Sequence, residues 1–257
     1  LCEKPLTVNA QEAAELATLV KTRPELKVAC CSSRFRFCPA ASVVELELAN
    51  HSIGQVRVVR THATIGPPKP LVELSGWKAD PAAAGGGIAS DWGVYELEWL
   101  RGTLGSIFDP VSVHAVLDFY GREDSVIESG FLATILCGSG LVVRMSRVFE
   151  VGPKRQVVEI RGDAGGIDTP FLPNNPDTHV RRFVSSSEEG SGTEETSLGD
   201  YPDLWPEIMT GPFRDFAAAV TGNHQVKSDA QSQVLVHRVL DAIYESGRSG
   251  RVVSVGQ

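Results

Sequence analysis

The sequence predicts an α+β fold: a large, mostly antiparallel open sheet with helices on one face, preceded by a short α/β segment. Three observations carry this prediction. Residues 110–184 read as successive short strands separated by glycine turns, a meander that implies antiparallel pairing. Helical patterns stand on both sides of that run, near 91–104 and again after 213. Residues 1–33 read as strand, helix, strand, the repeating piece of an α/β layer.

Taken in order, Leu1-Cys2-Glu3-Lys4-Pro5-Leu6 reads as the end of a buried strand running into a loop. Asn9 caps a helix with Glu12 as its capping-box partner, and Ala13, Leu16, Ala17 and Val20 form the apolar face. Arg23-Pro24 ends that helix, and residues 27–32 read as a short buried strand. A second helix opens at Pro39, a favoured first-turn residue, and runs to about Asn50. Ile53-Gly54 turns the chain into a long strand, 55–65, followed by an irregular Pro- and Gly-rich stretch, 66–87.

After the helix at 91–104, Val111, Val113, Ala115, Leu117 and Phe119 alternate with a mixed face. Strands at 131–137 and 141–149 flank Gly138-Ser139-Gly140, a hairpin signal. Further strands are expected at 155–161 and 179–185, with a turn at Gly162-Asp163-Ala164-Gly165-Gly166. Residues 185–200 are Ser-, Glu- and Gly-rich and read as a solvated loop. A short helix at 213–220 follows. A longer one opens at the capping box Ser228-Asp229-Ala230-Gln231 and closes at Gly247, before a last strand at 251–255.

Composition narrows the function. The 257 residues are 42% apolar and 22% charged with a net charge of −8, which suits a folded soluble chain and argues against a general nucleic-acid binder. No stretch approaches the roughly 20 apolar residues of a membrane span, and no leader is visible, so no membrane partner is expected. The five cysteines include no C-x-x-C pair, and Cys30 and Cys31 are adjacent. They read as reduced thiols in a cytoplasmic protein. The six scattered histidines form no H-x-x-x-H, so no metal is expected.

Three features could carry chemistry. Lys4, in Glu3-Lys4-Pro5, lies just past a strand end, where ligands bind in α/β layers. Pro5 restricts its backbone and permits a cis bond, and burial lowers a lysine pKa toward neutrality. The plainer reading is a surface lysine beside a loop proline. Asp91 and Tyr95, four apart after Gly85-Gly86-Gly87, project from one helix face. The glycines would let backbone approach a ligand, and a phenol with a carboxylate binds hydroxyls and moves protons. The alternative is a first-turn acid and a packed ring. Trp77-Lys78 suits a planar ring and a phosphate, or merely anchors a loop.

Together these pieces resemble the glucose–fructose oxidoreductase/inositol dehydrogenase/MocA family. The resemblance rests on Glu3-Lys4-Pro5-Leu6 (its E-K-P motif), Arg36-Phe37-Cys38-Pro39, Ile53-Gly54-Gln55-Val56 and Trp77-Lys78. It rests also on residues 85–95 with Leu104-Gly105, and on the closing helices around Phe213-Arg214-Asp215-Phe216 and residues 242–247. The resemblance implies NAD or NADP as cofactor, and hydride transfer to or from a sugar, polyol or related carbonyl compound. It makes Lys4 the catalytic lysine, with Asp91 assisting it or binding substrate and Tyr95 at the His/Tyr proton-transfer position. Glu3, Pro5, Trp77 and Lys78 would line the cofactor, and Arg36 would contact substrate. It divides the chain into residues 1–33, the end of a Rossmann domain, and 34–257, a substrate and oligomerisation domain whose open sheet face joins copies of the chain. The glycine fingerprint of such a Rossmann domain is not found in these residues, and Lys78 stands where the family often has Arg. A non-catalytic binding or assembly protein is the alternative.

Overall fold

The computed structural model describes residues 1–64, 76–119, 127–148, 155–171, 177–185, 193–202, 205–222 and 224–256. Helix α1, Ala10–Thr22, is capped as expected: the Asn9 side chain accepts the Glu12 N–H at 2.9 Å. The reciprocal bond is shifted by one residue, because the Glu12 carboxylate accepts from Val8 rather than Asn9. Ala13 and Ala17 pack on Ala230 and Val234 near the start of the last long helix.

The buried strand expected at 27–32 is reduced to isolated bridges, Cys2 with Cys30 in parallel and Ala29 with Asp229 antiparallel. From Cys31 to Phe37 the chain is a 3-10 helix. Ser33 explains the switch: both its N–H and its hydroxyl donate to the Cys30 carbonyl, and such local bonds compete with strand pairing. Helix α2, Pro39–Ala49, follows with proline in its first turn.

Among the described residues nine strands form one sheet: β1 Val56–Thr64, β2 Pro110–Asp118, β3 Gly130–Cys137, β4 Val142–Val148, β5 Arg155–Gly162, β6 Gly165–Pro170, β7 His179–Ser185, β8 Thr193–Asp200 and β9 Val253–Ser254. Their order is β8-β7-β6-β5-β1-β4-β3-β2-β9. It is two meanders with β1 inserted between them, antiparallel to β5 and parallel to β4. β1–β4 is the single parallel pair among the described strands.

Two strands differ from expectation. The turn at 162–166 shrinks to Asp163-Ala164, and Gly165 already begins β6. The loop read over 185–200 contains β8 in its last eight residues, while 186–192 lie outside the described residues. β8 is an edge strand of Thr, Glu, Ser and Gly with little buried surface, so no apolar alternation marks it.

The short helix α3, Pro81–Ala84, is capped by Asp80. A π-helical turn, Ala89–Gly93, leads into α4, Val94–Leu104. Helix α5 spans Trp205–Thr221, beginning eight residues before the expected start, with Pro212 inside it. Helix α6, Ala230–Ser249, is capped by Asp229 and ends at left-handed Gly250, not at Gly247. Gly247 is a packing position instead: a Cβ there would stand 2.4 Å from Leu117 Cγ.

The helices cover one sheet face. Phe131, Ala133 and Ile135 of β3 point into the core, while Leu132 and Leu136 are exposed on the other side with Val116 of β2. Helix α4 is held by two buried carboxylates. Glu96 takes Arg147 of β4 and Thr61 of β1, and Glu98 takes Arg36, Arg101 and Gln233. This fixes the helix whose N-terminal end carries the site.

Candidate functional site

The loop after the Cys2 bridge delivers Glu3, Lys4 and Pro5 to the start of α4; the Lys4-Pro5 peptide is cis. The Lys4 ammonium donates to both the backbone carbonyl and the carboxylate of Asp91. Its side chain is 13% exposed. Burial pushes its pKa down from 10.5, the Asp91 carboxylate pulls it back up, and the Lys78 and Arg34 charges lower it further.

The Tyr95 ring lies beside that ammonium, with Lys4 Nζ over it at 4.9 Å from the centroid. The Arg34 guanidinium lies 5.6 Å from the same ring. Phe35 meets the ring edge-on at 4.9 Å between centroids and Trp92 is tilted at 5.8 Å, so the phenol is held by aromatic packing. Burial drives the Tyr95 phenol well above its ordinary 10, against the pull of Arg34. Among the described residues nothing hydrogen-bonds its hydroxyl.

The structure therefore brings Lys4, Asp91 and Tyr95 into one cluster. Glu3 joins it through Arg34, whose Nη2 donates to the Glu3 carboxylate at 2.7 Å. A cavity of about 130 Å3 adjoins Asp91 and is lined by Pro5, Trp77, Lys78, Gly86, Gly87 and Ile127 among others. Lys78 stacks 5.6 Å from the Trp77 ring, and its ammonium lies 4.0 Å from Asp91 Oδ1. The Trp77 ring is 61% exposed, an open flat surface. Arg36 makes its contacts elsewhere: it donates to Glu98 at 3.1 Å and to the Lys227 carbonyl at 2.6 Å.

Arg34 was not legible as a site residue. The short 3-10 helix, rather than any motif, turns it toward Tyr95. The glycine run also has a different use from the one expected. A Cβ at Gly86 would stand 2.0 Å from the Tyr244 hydroxyl, and one at Gly87 would stand 2.1 Å from the Glu128 carbonyl oxygen. The glycines make room for Tyr244 and Glu128 as well as opening the cavity wall.

Comparison with known proteins bears on the whole arrangement. Residues 47–255 match the Gfo/Idh/MocA model described as "Oxidoreductase family, C-terminal alpha/beta domain". A 1,5-anhydro-D-fructose reductase of Ensifer adhaerens is 27% identical over 168 residues, 65% of this chain and 48% of that one. A D-xylose 1-dehydrogenase (NADP(+)) of Haloferax volcanii is 25% identical over 99% of this chain and 72% of its own length. The chain thus spans about half of the first relative and rather more of the second. Among solved structures, a levoglucosan dehydrogenase complexed with NADH superposes with a TM-score of 0.81 at 19% identity, over 100% of this chain and 73% of that one. An aldose-aldose oxidoreductase from Caulobacter crescentus, complexed with glycerol, gives 0.75 at 21% over 98% and 71%. These structural likenesses show the shared fold.

Proposed function

This chain belongs to the glucose–fructose oxidoreductase/inositol dehydrogenase/MocA family, and from that premise we propose that it supplies the substrate half of an NAD(P)-dependent oxidoreductase acting on a sugar or polyol. In this reading residues 1–33 complete a Rossmann domain and 34–257 form the substrate domain. The observation that carries it is the Lys4 ammonium in contact with the Asp91 carboxylate and over the Tyr95 ring.

The residues present fit the nicotinamide end of such a cofactor. Pro5 and the open Trp77 face offer flat apolar surface beside the cavity, and Lys78 is a half-exposed cation next to it. When bound, the cofactor accepts or supplies the hydride; the protein's part is orientation and proton transfer. Lys4 has the lowered pKa and is the better base for drawing a proton from a substrate hydroxyl. Tyr95 stays protonated at any physiological pH and donates a hydrogen bond to the reacting oxygen. Asp91 aims Lys4 and keeps its proton from leaving too easily. Arg34, pinned by Glu3, keeps positive charge beside the phenol, which favours oxyanion character there.

The alternative of a purely assembling protein is less well supported, because it leaves a partly buried lysine and a buried phenol side by side without a task. The open sheet face, with Val116, Leu132 and Leu136 exposed, is proposed to join two copies of the chain. The test of function uses the protein with its upstream residues. NADPH and NADH fluorescence are titrated, and oxidation of a panel of aldoses and polyols is followed. Lys4→Ala and Tyr95→Phe should each cut turnover at least about a hundredfold with a smaller change in KM. Absence of binding to either cofactor overturns the proposal.

A further inference from the structure

A helix start leaves its first N–H groups without intrahelical acceptors, and in many proteins an anionic ligand fills that role. In the turn that leads to Asp91 the protein fills it from within. The Glu128 carboxylate accepts the N–H of Gly87 and of Ala89, each at 2.9 Å, and its backbone carbonyl accepts from Ile88 at 3.3 Å. The next N–H, of Ser90, donates to the Tyr244 hydroxyl at 3.0 Å, and that hydroxyl donates in turn to Glu128 at 2.8 Å. Four consecutive amides are satisfied by two side chains and one carbonyl. Glu128 and Tyr244 are both buried.

The following residue is Asp91, whose own N–H donates to Gly87 at 2.9 Å. Asp91 holds the Lys4 ammonium by two oxygens, one of them its backbone carbonyl. The carbonyl contact ties the lysine directly to the path of the main chain. Lys4 is therefore located only as well as the turn is. The sterics agree: Gly86 and Gly87 have no room for a side chain because Tyr244 and Glu128 stand against them.

We infer that Glu128 and Tyr244 are positioning residues for the Lys4–Asp91 pair, acting through the turn at residues 87–90. The inference rests on the proposed acid–base role of Lys4, and it deepens that role. Tyr244 comes from α6 and Glu128 from the segment before β3, so two elements far apart in sequence set one ammonium. Loosening the turn admits water to Lys4. Burial is the largest influence on that ammonium, so its titration would return toward that of a free lysine even as the Asp91 contacts slacken. The groups facing it are the Asp91 carboxylate, the Lys78 and Arg34 cations and the Tyr95 ring. All of these remain in the variants below.

The experiment measures Lys4 directly, without turnover. The full protein, upstream residues included, is treated with trace acetic anhydride from about pH 6 to 11, and acetylation of the Lys4 peptide is followed by mass spectrometry. The variants are Tyr244→Phe, which removes one hydroxyl and orphans the Ser90 N–H, and Glu128→Gln, which sets an NH2 against a donor. In both, the acetylation midpoint should move upward and neutral-pH acetylation should fall by about threefold to tenfold. In both, kcat should fall more than KM rises. If Glu128→Gln does not fold, Tyr244→Phe decides alone. Variants that melt earlier but keep the wild-type Lys4 profile overturn the inference and leave a merely structural role. A shifted Lys4 in a protein that binds no NAD(P) keeps the inference and discards the oxidoreductase reading. Turnover with an unshifted Lys4 does the reverse.

Discussion

Replacing Arg147 by Met tests how firmly α4 is held. Arg147 and Glu96 are both fully buried, and Arg147 donates to one Glu96 oxygen through Nε at 3.0 Å and Nη2 at 2.5 Å. The other oxygen accepts from Thr61 at 2.7 Å, and the guanidinium lies 5.0 Å from the Trp92 ring. Met fills the aliphatic volume but leaves the Glu96 charge inside with one hydroxyl for company. Breaking such a pair costs about 3–5 kcal/mol, a large fraction of the roughly 5–15 kcal/mol that holds a domain together. At about 2–4 °C per kcal/mol for a chain of this size, Tm should drop by about 6–20 °C. The double variant Glu96→Leu/Arg147→Met removes both charges and should recover most of the loss, short of about 1 kcal/mol for the orphaned Thr61 hydroxyl. Urea unfolding of the four proteins in the cycle measures this. A single variant costing under about 1 kcal/mol would refute the reasoning, as would a double variant costing the sum of the two singles.

Three other expectations follow from the same structure. His237 is buried on α6, its Nε2 without a partner among the described residues, and burial lowers its pKa from 6.5 to about 4. The unfolded chain binds that proton first, so stability is lost as pH falls from 6.5 toward 4; His237→Leu should flatten denaturant midpoints over that window, by up to about 3 kcal/mol. Gly247→Ala sets a methyl against Leu117 and should cost about 1–3 kcal/mol, largely restored when Leu117 is cut to Val; an unchanged melting curve in the single variant would count against this packing. Leu132→Arg on the open sheet face should leave the melting temperature of the isolated chain nearly unchanged and convert any dimer to monomer in light scattering, whereas an unaffected dimer would place the interface elsewhere.

The sheet was legible because it obeys elementary patterning. β2 and β3 alternate, and the Gly138-Ser139-Gly140 turn announces its hairpin. The parallel pairing of β1 with β4 was not legible. Register between residues 84 apart in sequence is a tertiary choice, and β1 carries the same alternation whichever neighbour it takes. The start of α5 was not legible: the helix runs on through a buried Pro212, a residue type that ordinarily breaks one. The grouping of Lys4, Asp91 and Tyr95 in one cluster was legible through spacing and resemblance. Arg34 and Glu128 were not, since neither lies in a motif and both act through bonds made at a distance in sequence.

What distinguishes the cleft is the number of buried carboxylates spent on orienting one short helix. Glu96 fastens the first turn of α4 to β1 and β4. Glu98, two residues on and facing another way, fastens it to the 3-10 helix through Arg36 and to α6 through Gln233. Glu128 closes its approach from the N-terminal side. Each buried charge is costly by itself and is tolerated only because every one finds donors. Hydrophobic packing alone would hold the helix against the sheet but would let it slide along its axis. Directional bonds at three points oppose that sliding. Proton transfer needs donor and acceptor placed within fractions of an ångström, and Tyr95 lies one residue before Glu96. The site is therefore rigid where the phenol and the Asp91 turn are seated. Beside it the cavity lined by Trp77 and Lys78 offers a planar ligand a flat surface.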